Sequence, residues 1–331
     1  MQTQNTDMNK IGVVTKKLLG HYDVQHANRI TTCVLSAKLW KHFETTNRDG
    51  SAQRVTAVRE KHMDPVAIGD RVTFRPVEDG TGMILDVLPR QNYLARGSAK
   101  PNPRAHSFEQ VIAANLDQII PVFAAANPRP KWHMLDRILV AAEAHQIPST
   151  ILITKYDLVK GRKSEEELQL AINRYKKIGY PVIVTSAKDK LGLEVLGNTL
   201  DQKTSLLVGK SGVGKSSLMN MIEPGLDLKV QSVNSSTGKG RHTTSHLEMY
   251  PLAKGGNIID TPGTREFGIW GLDPCCLSDC FPEMRPFIGQ CKFGLSCQHD
   301  EEPGCAIRKA VVNGTISPFR YKSYLRMRMD L

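Results

Sequence analysis

Along the first hundred residues, apolar and polar positions alternate in short runs at 30–35, 55–58, 71–74 and 83–87, with Gly69-Asp70 and Asp79-Gly80 as turns. A period of two with recurrent β-branched residues predicts strands. Strands this short need mutual closure, so a small β-barrel or sandwich is expected. From about Pro101 the pattern changes to continuous apolar runs at 119–123, 150–153, 181–184, 205–208 and 257–259. Such runs read as strands buried on both faces, and the helical stretches between several of them predict a parallel sheet covered on both sides. In one helical stretch Ser164 and Glu167 form a capping-box pattern, while Leu168, Ile172 and Tyr175 fall on one face. After Gly271 the chain turns to Cys, Pro and Gly, then to a tail in which residues 306–331 carry six Lys or Arg against one Asp. These shifts predict three domains, at 1–98, 99–271 and 272–331.

Composition narrows the picture. With 331 residues, 40% hydrophobic and 23% charged, the chain is globular rather than disordered or fibrous. No apolar run approaches the roughly 20 residues that span a bilayer, and the polar start lacks a signal-peptide core. A cytoplasmic protein with no membrane partner is expected. Lys and Arg number 44 against 33 Asp and Glu, a net +11, which suits a polyanionic partner such as nucleic acid better than a merely solvated surface. Of the seven cysteines, six lie between 275 and 305. That crowding, without a secretory signal, argues for a metal site over a disulfide framework.

Gly209-Lys210-Ser211-Gly212-Val213-Gly214-Lys215-Ser216 matches the phosphate-loop pattern, follows the apolar run 205–208, and leads through Ser217 into a helix-compatible run to 222. Glycines let the backbone wrap phosphate, its N–H groups and the helix start supply positive potential, and Lys215 reaches the β and γ oxygens. Ser216 can offer its hydroxyl to Mg²⁺. Asp260-Thr261-Pro262-Gly263 ends the next apolar run; Asp260 can hold Mg²⁺ through water while the Gly263 N–H faces the γ-phosphate. Between them lies Gly240-Arg241-His242-Thr243-Thr244, where Thr243 or Thr244 can complete the Mg²⁺ shell in one nucleotide state and release it in the other.

Two further tetrapeptides follow strands: Thr154-Lys155-Tyr156-Asp157 and Thr185-Ser186-Ala187-Lys188. Asp157 can accept both the ring N–H and the exocyclic amine of guanine, which adenine cannot offer. Paired hydrogen bonds of this kind discriminate by roughly 10⁴ to 10⁵. Lys155 can lie over the base with its stem against the phosphate loop, and N–H groups near Ser186 and Ala187 can meet the guanine carbonyl. In ordinary GTPases the phosphate loop comes first and the base motifs last. Here the base motifs precede it.

This rotated order resembles the RsgA (YjeQ) family of circularly permuted GTPases that depend on the small ribosomal subunit. The resemblance extends to Gly69-Asp70-Arg71-Val72, Val87-Leu88-Pro89-Arg90, Ala113-Ala114-Asn115-Leu116-Asp117-Gln118, Asp136-Arg137 and Pro262-Gly263-Thr264-Arg265-Glu266-Phe267-Gly268. It implies an N-terminal OB-fold barrel, a permuted α/β GTPase domain and a C-terminal zinc domain. It also implies a monomeric partner of the small subunit and its rRNA that hydrolyses GTP to GDP as a late-assembly checkpoint or release switch.

Two positions depart from GTPase habit. Thr154 stands where most have Asn, which removes a side-chain amide near the base and predicts weaker nucleotide binding. Thr264 stands where many place a water-orienting Gln. A low intrinsic rate is therefore expected, with His242 as the candidate catalytic group, in keeping with the resemblance; a loop histidine touching rRNA or solvent is the competing reading. Cys291-x5-Cys297-x-His299-x5-Cys305 offers three thiolates and an imidazole, a closed set for structural Zn²⁺. The family usually has four residues between the first two cysteines, so one extra residue leaves the first ligand open, while Cys275, Cys276 and Cys280 read as buried free thiols. Arg320, Lys322, Arg326 and Arg328 of the tail add charge for phosphate contacts. An RNA scaffold with a non-turning-over nucleotide lock and an ATP-using enzyme are the alternatives, the latter disfavoured by Asp157.

Overall fold

A computed structural model describes residues 9–39, 65–77, 79–97, 109–226, 228, 247–261 and 272–331. The strand expected at 55–58 lies outside them.

The N-terminal strands are β1 (Lys10–Leu18), β2 (His21–His26), β3 (Arg29–Leu35), β4 (Arg71–Pro76) and β5 (Gly82–Val87). They pair in the order β1-β2-β3-β5-β4, and β4 returns to β1, with Lys10 opposite Phe74 and Val13 opposite Arg71. The sheet closes on itself, with β3 and β5 parallel. This is the five-stranded OB barrel expected. Inward positions of the alternating strands, Val14, Tyr22, Val24, Cys33, Val72, Phe74 and Ile84, fill its core. An antiparallel pair, β6 (Tyr93–Gly97) and β7 (Glu109–Ala114), follows.

The central sheet contains β8 (Gln118–Ala124), β9 (Ile151–Thr154), β10 (Val182–Val184), β11 (Thr204–Val208), β12 (Glu248–Pro251) and β13 (Asn257–Asp260), ordered β10-β9-β8-β11-β13-β12. All neighbours are parallel except β12 and β13. Successive residues point to opposite faces, so each strand feeds two cores. Ile119, Phe123, Ile151, Ile153, Leu206 and Val208 meet helices α1 (Trp132–Ala144) and α2 (Lys163–Ile178) on one face. Ile120, Val122, Leu152 and Leu207 meet α3 (Leu193–Leu200) and α4 (Lys215–Ile222) on the other. Both faces are therefore apolar, which is why these strands read as continuous runs.

The α2 face is as expected, with Leu168, Ile172 and Tyr175 buried, but the capping box is not. The helix begins two residues earlier, with Arg162 at the N-cap and no side-chain cap; Ser164 lies inside the first turn. Glu165 does the local work instead, accepting from the Gly161 N–H at 2.6 Å and from the Tyr156 hydroxyl.

The permuted order has a physical seam where α3 runs through residues 201–203 directly into the central strand β11. The β12–β13 turn clamps it: Gln202 N–H donates to Gly255 O, and Asn257 N–H to Lys203 O at 2.9 Å. A Cβ on Gly256 would sit 2.5 Å from the Lys203 nitrogen, so the clamp requires glycine there. One register pair, Lys16 with Glu248, joins β1 to β12 and thus the barrel to the sheet; the two side chains form an ion pair at 3.1 Å.

The C-terminal module consists of short 3-10 turns, α5 (Ala306–Val312) and α6 (Pro318–Asp330). Its core of Leu277, Phe281, Met284, Ile307, Ile316, Tyr324 and Met327 also takes in Val140 of α1. Arg320 corrects an expectation of phosphate contact. It is fully buried and pairs with Asp136 of α1 and with Glu283, each at 2.7 Å, between two carboxylates that hold its charge. Asp136 also accepts from the Tyr175 hydroxyl at 2.8 Å and from Ser323. The module is bolted to the central domain through this network. Among the described residues no helix is long and apolar enough to cross a membrane.

Candidate functional site

Residues 209–214 form the turn between β11 and α4, and Lys215 and Ser216 open that helix, at the carboxyl end of the sheet. Gly209 lies against β8 so closely that a Cβ would come within 2.5 Å of Val122 O. Gly214 occupies the N-cap of α4 with positive φ and no capping side chain, which leaves the first N–H groups of the helix open to an anion. Lys215 is nearly buried; its Nζ donates to Gly209 O at 2.9 Å and lies 3.7 Å from Asp260 Oδ1. Asp260 reaches that position because β13 pairs in register with β11, Leu207 opposite Asp260. Thr261 anchors the strand end by donating its hydroxyl to Leu207 O at 2.9 Å. Ser216 follows Lys215 on the first turn of α4, so the lysine and the hydroxyl come from one helix start and the Asp260 carboxylate from the adjacent end of β13.

The base motifs arrive from β9 and β10. Lys155 adopts a left-handed φ of 56° and swings its Nζ onto Gly212 O and Asn127 O, both at 2.6 Å. Burial lowers its pKa, partly opposed by Asp157. Thr154, buried at the end of β9, donates its hydroxyl to the Val213 carbonyl. Ser186 donates to Asp157 Oδ1 at 2.9 Å and accepts from the Asp189 N–H, which fixes the carboxylate. Tyr156 N–H donates to Thr185 O at 3.1 Å, joining the two motifs, whereas the Tyr156 ring hydroxyl turns to Glu165. Ala187 packs partly buried against the α3–α4 core.

In the C-terminal module Cys291, Cys297, His299 and Cys305 are buried, with their ligand atoms all within 4.8 Å of one another. Tetrahedral Zn²⁺, with Zn–S about 2.3 Å and Zn–N about 2.0 Å, requires edges of about 3.8 Å between sulfurs and about 3.5 Å between sulfur and nitrogen. The Cys291 and Cys305 sulfurs stand 3.8 Å apart, and each lies 3.5 Å from His299 Nδ1. The donors fit zinc in both type and spacing. Backbone N–H groups of Ala306 and Arg308 point at two of the sulfurs, and Tyr321 donates to His299 O at 2.7 Å. Burial pushes the Cys297 thiol up to about 12, so ionising it calls for a cation at the cluster. Cys291 is in the cluster despite the longer spacing. Cys280 is buried, but Cys275 and Cys276 are exposed, contrary to the expected burial of all three.

An RsgA GTPase family model matches residues 87–270. The chain belongs to the RsgA GTPase family. It is 46% identical over 268 residues to the small ribosomal subunit biogenesis GTPase RsgA of Gemmatimonas aurantiaca, covering 80% of this chain and 84% of that one. It is 38% identical over 315 residues to the RsgA of Chromohalobacter salexigens, with 92% and 86% covered. Among solved structures it resembles YjeQ from Thermotoga maritima (TM-score 0.73, 30% identity, 98% of this chain and 99% of that one). YloQ, described as a circularly permuted GTPase, gives a TM-score of 0.68 at 28% identity, with 100% of this chain and 97% of that one covered. Like the rest of the RsgA family, the chain is a GTP hydrolase with the motif order permuted.

Within this RsgA chain the structure brings together Thr154, Lys155, Asp157, Ser186, the loop 209–216 with Ser217 behind it, and Asp260. His242, Thr243, Thr244 and Gly263 lie outside the described residues. Sequence reasoning missed Lys131 and His133 at the start of α1. Burial and then Lys131 depress the Lys210 ammonium; burial, then Arg326 and Lys131, depress His133. The phosphate loop therefore has further basic neighbours, brought there by the β8–α1 turn, which carries no motif.

Proposed function

We propose that the chain acts on the small ribosomal subunit, binding its rRNA in the GTP state during late assembly and leaving after hydrolysis to GDP. The observation that carries the nucleotide half of this reading is the approach of Lys215 to Asp260 beside a loop tied to Thr154 and Lys155. Lys215 and the loop N–H groups bind the β and γ oxygens, and Asp157, held by Ser186, accepts from guanine. Ser216, Asp260 and Thr243 or Thr244 would hold Mg²⁺, which supplies charge neutralisation on the phosphates. Water attacks the γ-phosphorus as the bond to the β–γ bridging oxygen breaks, and the lysine and loop N–H groups stabilise charge moving onto GDP. His242 orients that water, since Thr264 is too short to do so.

The ribosomal half rests on the names of the relatives, the +11 charge and the OB barrel. Cys291, Cys297, His299 and Cys305 hold one structural Zn²⁺ and take no part in hydrolysis. The protein works in the cytoplasm as a monomer. Co-sedimentation with purified small subunits tests the switch. Retention is expected with a non-hydrolysable GTP analogue and release with GDP, both weakening steeply as salt rises; equal retention in the two states would contradict it.

A further inference from the structure

In a phosphate loop the useful groups are N–H donors, and a peptide aims its N–H only if something holds its carbonyl. In a trans peptide the carbonyl and the next N–H point in opposite directions. Two successive carbonyls of the loop are held by the base loop. Gly212 O accepts from Lys155 Nζ at 2.6 Å, and Val213 O accepts from the Thr154 hydroxyl. Because the second bond holds Val213 O against Thr154, the Gly214 N–H of the same peptide is set pointing away from β9, free of the base loop. Thr154 is 3% exposed and Val213 likewise 3%, so no water replaces this bond at low cost. Its geometry is braced, since Thr154 also closes β9 against β8, with the Ala125 N–H donating to Thr154 O at 2.8 Å.

We infer that Thr154 is a positioning residue for nucleotide binding, whose hydroxyl couples the guanine loop to the phosphate loop by fixing the Val213 peptide. The side-chain amide lost at this position is thus replaced by a shorter donor rather than simply missing. A nucleotide that orders one loop orders the other through this bond, without touching the threonine. The inference rests on the reading of residues 154–157 as the guanine loop.

The test compares wild type, Thr154→Val and Thr154→Ser in binding GDP, GTP and ITP, together with the dissociation rate of a fluorescent GDP. Valine keeps the shape and removes the donor; serine keeps the donor. The valine variant is expected to bind GDP and GTP about tenfold more weakly, mainly through faster release, while its preference for GTP over ITP stays that of wild type, because Asp157 is untouched. The serine variant is expected within about twofold of wild type. Valine binding as tightly as wild type, or serine as weak as valine, would overturn the coupling. Should valine prevent folding, Thr154→Ala carries the same readout. A wild-type protein that does not distinguish GTP from ITP would overturn the guanine-loop assignment itself, and this inference with it.

Discussion

The nucleotide loop and the thiolate cluster are both built from short irregular segments, yet they hold together in opposite ways. The loop at 209–216 sits on a finished scaffold: β11 and α4 belong to a core closed by Ile120, Val122, Leu207, Leu218 and Met219. Its chemistry comes largely from backbone N–H groups. The C-terminal module is made mostly of 3-10 turns, and its four buried donors face one another around a gap of metal size. There the ligand set is part of the fold. Changes at the first site should alter affinity and rate with the fold kept; changes at the second should remove the fold with the loop kept.

The largest effect expected is on the thiolate cluster. Cys297→Ser, or exhaustive chelation, removes one equivalent of zinc and unfolds the C-terminal module, since structural zinc is worth about 10–16 kcal/mol of apparent binding energy. Metal analysis and a second, low-temperature melting transition would report it, while GTP affinity of the central domain changes little. An undiminished melting curve after zinc removal would break the contrast. Next is the bolt between the two regions. Arg320→Ala strands Asp136 and Glu283 as buried carboxylates and should cost about 3–5 kcal/mol, read as a shifted denaturant midpoint. The loop itself comes third. Lys215→Ala should lower kcat about 10²–10³-fold with the melting temperature near wild type. The smallest effect is at the barrel junction, where Lys16→Ala removes a half-exposed ion pair and should cost less than about 1 kcal/mol.

Legibility in the sequence followed the same divide. Five central strands showed as apolar runs because helices cover both faces, whereas β1, with Lys10, Lys16 and Lys17, did not stand out. The cluster of three cysteines and one histidine was readable because potential ligand types at metal spacing have few other uses, and Cys291 joined it despite an extra loop residue. Arg320 was misread as surface charge because its burial depends on Asp136 and Glu283, 184 and 37 residues away. Ser164 was misread as a cap because Glu165 turns back to Gly161 and Tyr156 and starts the helix earlier. The tie from Thr154 to Val213 was illegible for a different reason. A backbone carbonyl has no sequence signature, and only the sheet order places β9 within reach of the loop.

Phosphate release from GTP, followed with and without purified small ribosomal subunits, tests the central claim most directly. A slow basal rate that rises strongly when subunits are added, with ATP neither hydrolysed nor competing, is the expected result. A rate indifferent to subunits, or equal turnover of ATP, would contradict it.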